Sequence, residues 1–231
     1  MRMNLDNANW SFSGENVKKF DDHILKSVPL YKEGHNLICQ LSDFFLSNNS
    51  ICYEIGCSTG NLLENLAEHN KSKSIKIIGI EVEKDMVNSA QKKLSSFSNI
   101  EILCDDILNV DLEKSDLIIS YYTIQFIKPR IRQLIFSKIY ESLNWGGAFL
   151  LFEKVRGPDA RFQDILTALY TDFKLEQGFS KDDILDKTRS LKGILEPFST
   201  QGNLDLLDRA GFKDITTIMK YVCFEGFLAI K

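Results

Sequence analysis

The residues whose types could do chemistry sit where apolar runs stop. Ile51-Cys52-Tyr53-Glu54-Ile55 reads as a buried strand, and Gly56-Cys57-Ser58-Thr59-Gly60 follows as a loop bounded by two glycines. Gly56 lets the backbone turn tightly and approach a ligand without a Cβ in the way, and Gly60 lets a helix over Asn61 to Asn70 start close against the strand. Unpaired N–H groups at that helix start face the loop. The Glu-x-Gly-x-x-x-Gly spacing lacks the middle glycine of a dinucleotide fingerprint, so it points to a nucleoside rather than a pyrophosphate. A plain strand-to-helix turn uses the same two glycines.

Support comes from the next two strands. Ser74 to Ile80 is a second apolar run and ends in Glu81, 21 positions after Gly60. An acid at about that distance accepts hydrogen bonds from ribose hydroxyls; a solvated carboxylate opening a helix over Glu83 to Ser95 is the other reading. Asn99 to Cys104 is a third strand, ending in Asp105-Asp106-Ile107. Ligands of open α/β sheets gather at the carboxyl ends of strands, where all these acids fall.

The elements that must position these groups follow in order. A helix over Gly14 to Lys26, broken by Pro29, precedes the first strand, and its neighbourhood carries Trp10, Phe12 and Phe20 as core anchors or as a lid that stacks on a base. Residues 1–48 are read as this N-terminal helical lid. Lys32 to Leu46 is a helix with Leu37, Ile38, Leu41, Phe44 and Phe45 on one face, which should cover the first strand. A fourth strand runs from Leu112 to Tyr122. Pro129 opens a helix to Leu143, Asn144-Trp145-Gly146-Gly147 stops it, and a fifth strand spans Ala148 to Val155.

From 157 to 202 the alternation lapses into helices, Asp159 to Phe173 and Ser180 to Lys192, the second opened by a Ser-x-x-Asp cap. This stretch reads as an insertion over the site that walls an acceptor. A last helix, Asn203 to Ala210, leads to strands Asp214 to Met219 and Val222 to Ile230, too close for a crossover and so antiparallel. The fold class is therefore α/β: a Rossmann-like, seven-stranded, mostly parallel sheet with an antiparallel C-terminal hairpin and a helical insertion, in a single domain over 1–231.

Bulk properties narrow the partners. A net charge of -4 argues against a broad nucleic-acid surface, so no direct nucleic-acid binding is expected. No apolar stretch is long enough to span a bilayer, and the N-terminus lacks the core of a signal peptide, which points to no membrane and a cytoplasmic location. The five cysteines, Cys39, Cys52, Cys57, Cys104 and Cys223, have no C-x-x-C spacing and read as reduced, buried small hydrophobes. His23, His35 and His69 make no metal signature, so no metal is expected.

Five strands alternating with helices before a terminal hairpin resemble the class I S-adenosylmethionine-dependent methyltransferases. At finer grain the chain, from about Trp10 to its end, is similar to the carboxy-S-adenosylmethionine synthase branch, whose product serves the modification of tRNA wobble uridines. The likeness rests on Ser27-Val28-Pro29 with Tyr31, Gly56-Cys57-Ser58 with Gly60, Asp106-Ile107, and Thr123 with Gln125-Phe126. Lys138-Ile139-Tyr140, Leu143-Asn144 with Gly146-Gly147, Glu153-Lys154, Asp172-Phe173-Lys174, Arg189-Ser190 and Ala210-Gly211-Phe212 also match. The resemblance implies contacts to S-adenosylmethionine, or to its carboxylated form, by Tyr31, Gly56, Cys57, Ser58, Glu81, Asp106, Ile107 and Arg189. Glu54, Gly60, Val82 and Tyr121 complete the cofactor-binding set. Arg189 and Tyr121 are also assigned to the substrate.

Two departures stand out: Glu81 replaces an aspartate, and Tyr121 replaces an asparagine that contacts the cofactor. The reading placed first is accordingly methyl transfer to a small acceptor, acidic if Arg189 faces it, with carboxy-S-adenosylmethionine synthesis as the alternative and a non-catalytic binding module as the third. A sulfonium methyl is intrinsically reactive, so in-line placement matters more than a base. His23, Tyr121 and Tyr122 are the nearest bases, and no catalytic residue is assigned. Tyr121 should line the chamber and Tyr122 should point the other way, because side chains alternate along a strand. Partners are a small-molecule substrate and a second copy of the chain in a homodimer.

Overall fold

The sheet carries its helices on both faces, and its strand order explains where a ligand can sit. The computed structural model describes residues 14–231, so Trp10 and Phe12 lie outside the described residues. Strands β1 (Ile51–Ile55), β2 (Lys76–Glu81), β3 (Ile100–Cys104), β4 (Ser115–Tyr121), β5 (Leu143–Lys154), β6 (Asp214–Tyr221) and β7 (Phe224–Ile230) form one sheet in the order β3-β2-β1-β4-β5-β7-β6. The first five are parallel; β7 inserts antiparallel between β5 and β6. Strands buried on both faces must be apolar throughout, which is why β1, β2 and β4 are rich in Ile and Leu.

Ile55 of β1 registers with Ile80 of β2 and with Ser120 of β4, so three carboxyl ends come level. The chain winds outward from β1 in both directions, and the crevice at such a switch point is where these sheets bind ligands. Helices α1 (Glu15–Ser27), α2 (Tyr31–Phe45) and α3 (Asn61–His69) precede α4 (Lys84–Lys93), and α5 (Pro129–Ser142) follows β4. Ile38, Leu62, Leu63 and Leu66 build the core on one face, and Ile135, Phe136, Ile139, Leu206 and Phe212 build it on the other.

Four expectations need correction. Helix α2 packs chiefly on α3, β4 and β5 rather than on β1, because its first residue is tied to β4 through Tyr121. Phe44 is on its solvent side, 81% exposed, and the buried face instead uses His35, Ile38, Cys39 and Ser42. Asn144 to Gly147 belong to β5: Leu143 registers with Ser115, and Gly146 and Gly147 exchange backbone hydrogen bonds with Lys231. Cys104 is exposed at the end of β3, whereas the other four cysteines are buried and all five are free thiols.

The insertion comprises α6 (Ala160–Glu176) and α7 (Lys181–Ser190), with no fully buried residue on either. Ser180 and Asp183 form the expected capping box. Helix α8 (Thr200–Ala210) starts earlier than Asn203, because Ser199 accepts a hydrogen bond from the Gly202 N–H and caps it. No helix among the described residues is long and apolar enough to cross a membrane.

Candidate active site

The loop after β1 is shaped by backbone conformations that few residues adopt. Gly56 has φ 72°, and a Cβ there would collide with the side chain of Thr123. The Gly56 and Cys57 N–H groups both donate to the Ile80 carbonyl, at 2.7 and 3.2 Å, locking the loop to β2. Ser58, also left-handed at φ 50°, aims its N–H at Glu81 Oε2, 2.9 Å away, while the Glu83 N–H donates to Oε1 at 2.9 Å. Burial raises the Glu81 pKa, and those two N–H groups pull it back.

Glu54, from the end of β1, is 4% exposed, and its Oε2 has no hydrogen-bond partner among the described residues. Burial, then the neighbouring Glu81 charge, pushes its carboxyl up to about 8. It is therefore largely protonated at neutral pH. Thr59 reaches across to α1, donating to Asp21 Oδ1 at 2.6 Å, and Asp21 also pairs with Lys93 of α4 at 3.3 Å.

Glu54, the loop from Gly56 to Thr59, Glu81 and Glu83 border one cavity of about 1670 Å³. Of the sequence-derived set, Tyr31, Glu54, Gly56, Cys57, Ser58, Glu81, Val82, Asp106, Ile107, Tyr121 and Arg189 line it. Gly60 does not; it is the N-cap of α3 at φ 81°, where a Cβ would press on Leu94. Asp106 is exposed and accepts the Leu108 N–H at 2.9 Å, and Ile107 beside it is buried. Val82 is 60% exposed, an apolar surface facing the cavity.

The aromatic wall differs from the alternating pattern. Tyr121 donates to the Tyr31 carbonyl at 2.7 Å, and its ring sits 4.6 to 5.2 Å from those of Tyr31, His35, Tyr122 and Phe152. Gly34 makes room for it, since a Cβ there would strike the Tyr121 hydroxyl. Tyr122 does not turn to the opposite side: it adopts φ 60°, which breaks the alternation and puts both tyrosines on the cavity. Its hydroxyl is buried without a partner among the described residues. Burial raises both phenols above their usual range, so they stay protonated.

The facing wall is cationic. Lys154 from β5, Lys174 from α6, and Lys187 and Arg189 from α7 border the cavity. Burial, then the charge of Lys154, lowers Lys174 to about 8, and burial lowers Lys187 to about 7. The Arg189 Nε is buried with no partner among the described residues. His23 of α1 is pushed down to about 4 by burial and then by Lys187 and Lys174, so it is neutral at pH 7. Of the three bases named from sequence, it alone is in a proton-accepting form. The roles of Lys154 and Lys174 escaped sequence reasoning, although Glu153-Lys154 and Asp172-Phe173-Lys174 were among the shared motifs.

Comparison with known proteins decides the family. A methyltransferase domain matches residues 53–147. Carboxy-S-adenosyl-L-methionine synthase of Staphylococcus epidermidis is 36% identical over 99% of this chain and 100% of its own length. The chain belongs to the S-adenosylmethionine-dependent methyltransferase family. Within this family it groups with the carboxy-S-adenosyl-L-methionine synthases, that of Campylobacter lari being 35% identical over 96% of this chain and 94% of the relative. Its fold matches a methyltransferase of Methanococcus maripaludis with TM-score 0.63 at 18% identity, covering 98% of this chain and 97% of that one. It also matches Haemonchus contortus phosphoethanolamine N-methyltransferase 2, solved with S-adenosyl-L-methionine, with TM-score 0.68 at 13% identity, covering 95% and 57%. The protein is thus a transferase, and S-adenosylmethionine is its cofactor. Among the described residues no group of His, Cys, Asp and Glu is arranged to hold a metal.

Proposed function

We propose that the protein transfers a carboxyl group from a small carboxylic acid to the methyl of S-adenosylmethionine and makes carboxy-S-adenosylmethionine. Arg189 carries this reading: its Nε is buried at the cavity wall without an acceptor among the described residues, and a guanidinium in that state calls for a carboxylate, which it grips through two parallel N–H groups. The names of relatives matched along nearly the whole chain favour the same product.

The residues present suit the cofactor. Glu81 would take the ribose hydroxyls on its remaining lone pairs, the left-handed loop at Gly56 and Ser58 would face the methionine portion, and Asp106 with Ile107 and Val82 would flank the adenine. Glu54, with an orphan buried oxygen, would accept from a hydroxyl or ammonium group. The group supplies a sulfonium methyl. Forming the carboxymethyl product would replace one C–H bond of that methyl by a C–C bond to the donor's carboxyl carbon; the donor's own bond to that carbon would break, and the electron pair left on the rest of the donor would take up the methyl proton. In this chain the loop binds, α1 and the tyrosines exclude water, and Arg189 orients the carboxylate.

Methyl transfer to an acidic acceptor is the second reading. Tyr121 favours it, because a phenol fills space where the synthases carry a small amide, although here its hydroxyl is turned onto the Tyr31 carbonyl. Mass spectrometry of the small molecule that co-purifies separates the two. Carboxy-S-adenosylmethionine is the expected result; S-adenosylhomocysteine, with methyl transfer to an added acid, would replace the first reading by the second.

A further inference from the structure

We propose that Lys154 and Lys174, which share the ring of Tyr170, form an anion subsite that selects an acidic group of the second substrate. The three side chains come from two elements. Lys154 ends β5, and Tyr170 and Lys174 are one turn apart on α6, where residues four positions apart stand over one another. The Lys154 Nζ lies 4.2 Å from the Tyr170 ring centroid and the Lys174 Nζ 4.6 Å from it. Lys154 also lies 5.9 Å from the Phe224 ring. The shared ring is fixed, because the Tyr170 hydroxyl donates to the Ser27 carbonyl of α1 at 2.8 Å and its edge packs on Phe224.

Two ammonium groups on one ring repel each other, and the ring quadrupole offsets only part of that. Neither makes an ion pair among the described residues, and the other charged or titratable groups coupled to them are Arg156, the Cys223 thiol and the neutral His23, which supply no anion at neutral pH. Burial lowers both lysines, and Lys154 depresses Lys174 further, as expected of cations without a counter-charge. Both line the cavity, as Arg189 does. A carboxylate or phosphate group between them would receive charge-assisted hydrogen bonds from both.

This inference rests on the reading that the second substrate is an acid, and it adds the residues that would choose that acid. Because the substrate is unidentified, malonate and inorganic phosphate serve as probes. Their affinities would be measured by calorimetry for wild type, Lys174→Met, Lys154→Met/Lys174→Met, Lys174→Arg and Arg189→Leu, with S-adenosylmethionine affinity and unfolding temperature in parallel. The expected result is at least a ten-fold loss of malonate or phosphate affinity in Lys174→Met, a larger loss in the double variant, and retention in Lys174→Arg. S-adenosylmethionine affinity should stay within about two-fold throughout. Tighter malonate binding assigns a carboxylic acid and tighter phosphate binding a phosphorylated one. Unchanged probe affinity in the folded double variant would overturn the subsite. An equal fall in S-adenosylmethionine affinity would also overturn it, by giving the lysines to the cofactor's own carboxylate. Failure of the acid-substrate reading looks different: Arg189→Leu would then keep full turnover.

Discussion

The two walls of the cavity are built on opposite principles. On the side of β1 and β2 the charged groups are carboxylates, and one of them, the buried Glu81, has a backbone N–H on each oxygen. On the side of α6 and α7 a cluster of cations faces the cavity beside Asp183 and Asp186; Lys154 and Lys174 have no ion pair, and the Arg189 Nε no partner, among the described residues. The first wall is fixed by a sheet buried on both faces. The second hangs on helices with no fully buried residue, so less packing holds it. On the function proposed above, a site made this way would hold one ligand in a preformed loop and leave selection of the other to charge.

The contrast breaks most visibly at Arg189. Arg189→Leu leaves the cofactor wall intact and leaves a substrate carboxylate unpaired, at a cost of about 3–5 kcal/mol. Turnover should fall at least a hundred-fold while S-adenosylmethionine binding, followed by calorimetry, stays nearly unchanged; a parallel loss of cofactor affinity would mean that the two walls are not separable. Next comes Glu81→Ala, which should weaken S-adenosylmethionine by about thirty- to a hundred-fold, or 2–3 kcal/mol, with little change in the affinity for an acidic second substrate. Equal titration curves for wild type and variant would remove Glu81 from the ribose.

A pH series sharpens the picture of the acidic wall. Glu54 holds its proton in the folded state up to about 8 and loses it near the ordinary carboxylate value when unfolded. The folded state therefore binds more protons between those values, and stability conferred at low pH is lost as pH rises from about 4.5 to about 8. Glu54→Gln should flatten that decline in urea-unfolding free energy measured across the window, and an unchanged slope would refute the raised value. The smallest effects separate the tyrosines. Tyr121→Phe removes the bond to the Tyr31 carbonyl and should cost about 1 kcal/mol, whereas Tyr122→Phe removes a buried hydroxyl with no partner and should be neutral or slightly stabilising. Thermal unfolding showing the reverse order would mean that Tyr122, not Tyr121, anchors this wall.

Strand positions were legible because each lies in a short apolar run that only a buried sheet accommodates, and acids at the ends of such runs had to meet at one edge. The Ser180 capping box was legible for the same local reason: its two partners are three residues apart. The start of β5 was not, since Gly146 and Gly147 look like a helix stop until Lys231, at the far end of the chain, pairs with them. Nor was the side taken by Tyr122, whose left-handed backbone is imposed by the Tyr122 N–H bond to the Phe152 carbonyl and the packing around it.

By itself, then, the sequence determined the α/β alternation, the glycine-bounded turn after β1, and the row of acids that accompanies it, all through interactions spanning a few residues or one strand-helix unit. Tertiary structure alone decided that Lys154 and Lys174 would meet on the ring of Tyr170 and that Arg189 would face the same cavity. Those residues come from a strand and two separate helices, and only the packing of the insertion across the sheet edge sets the distances between them.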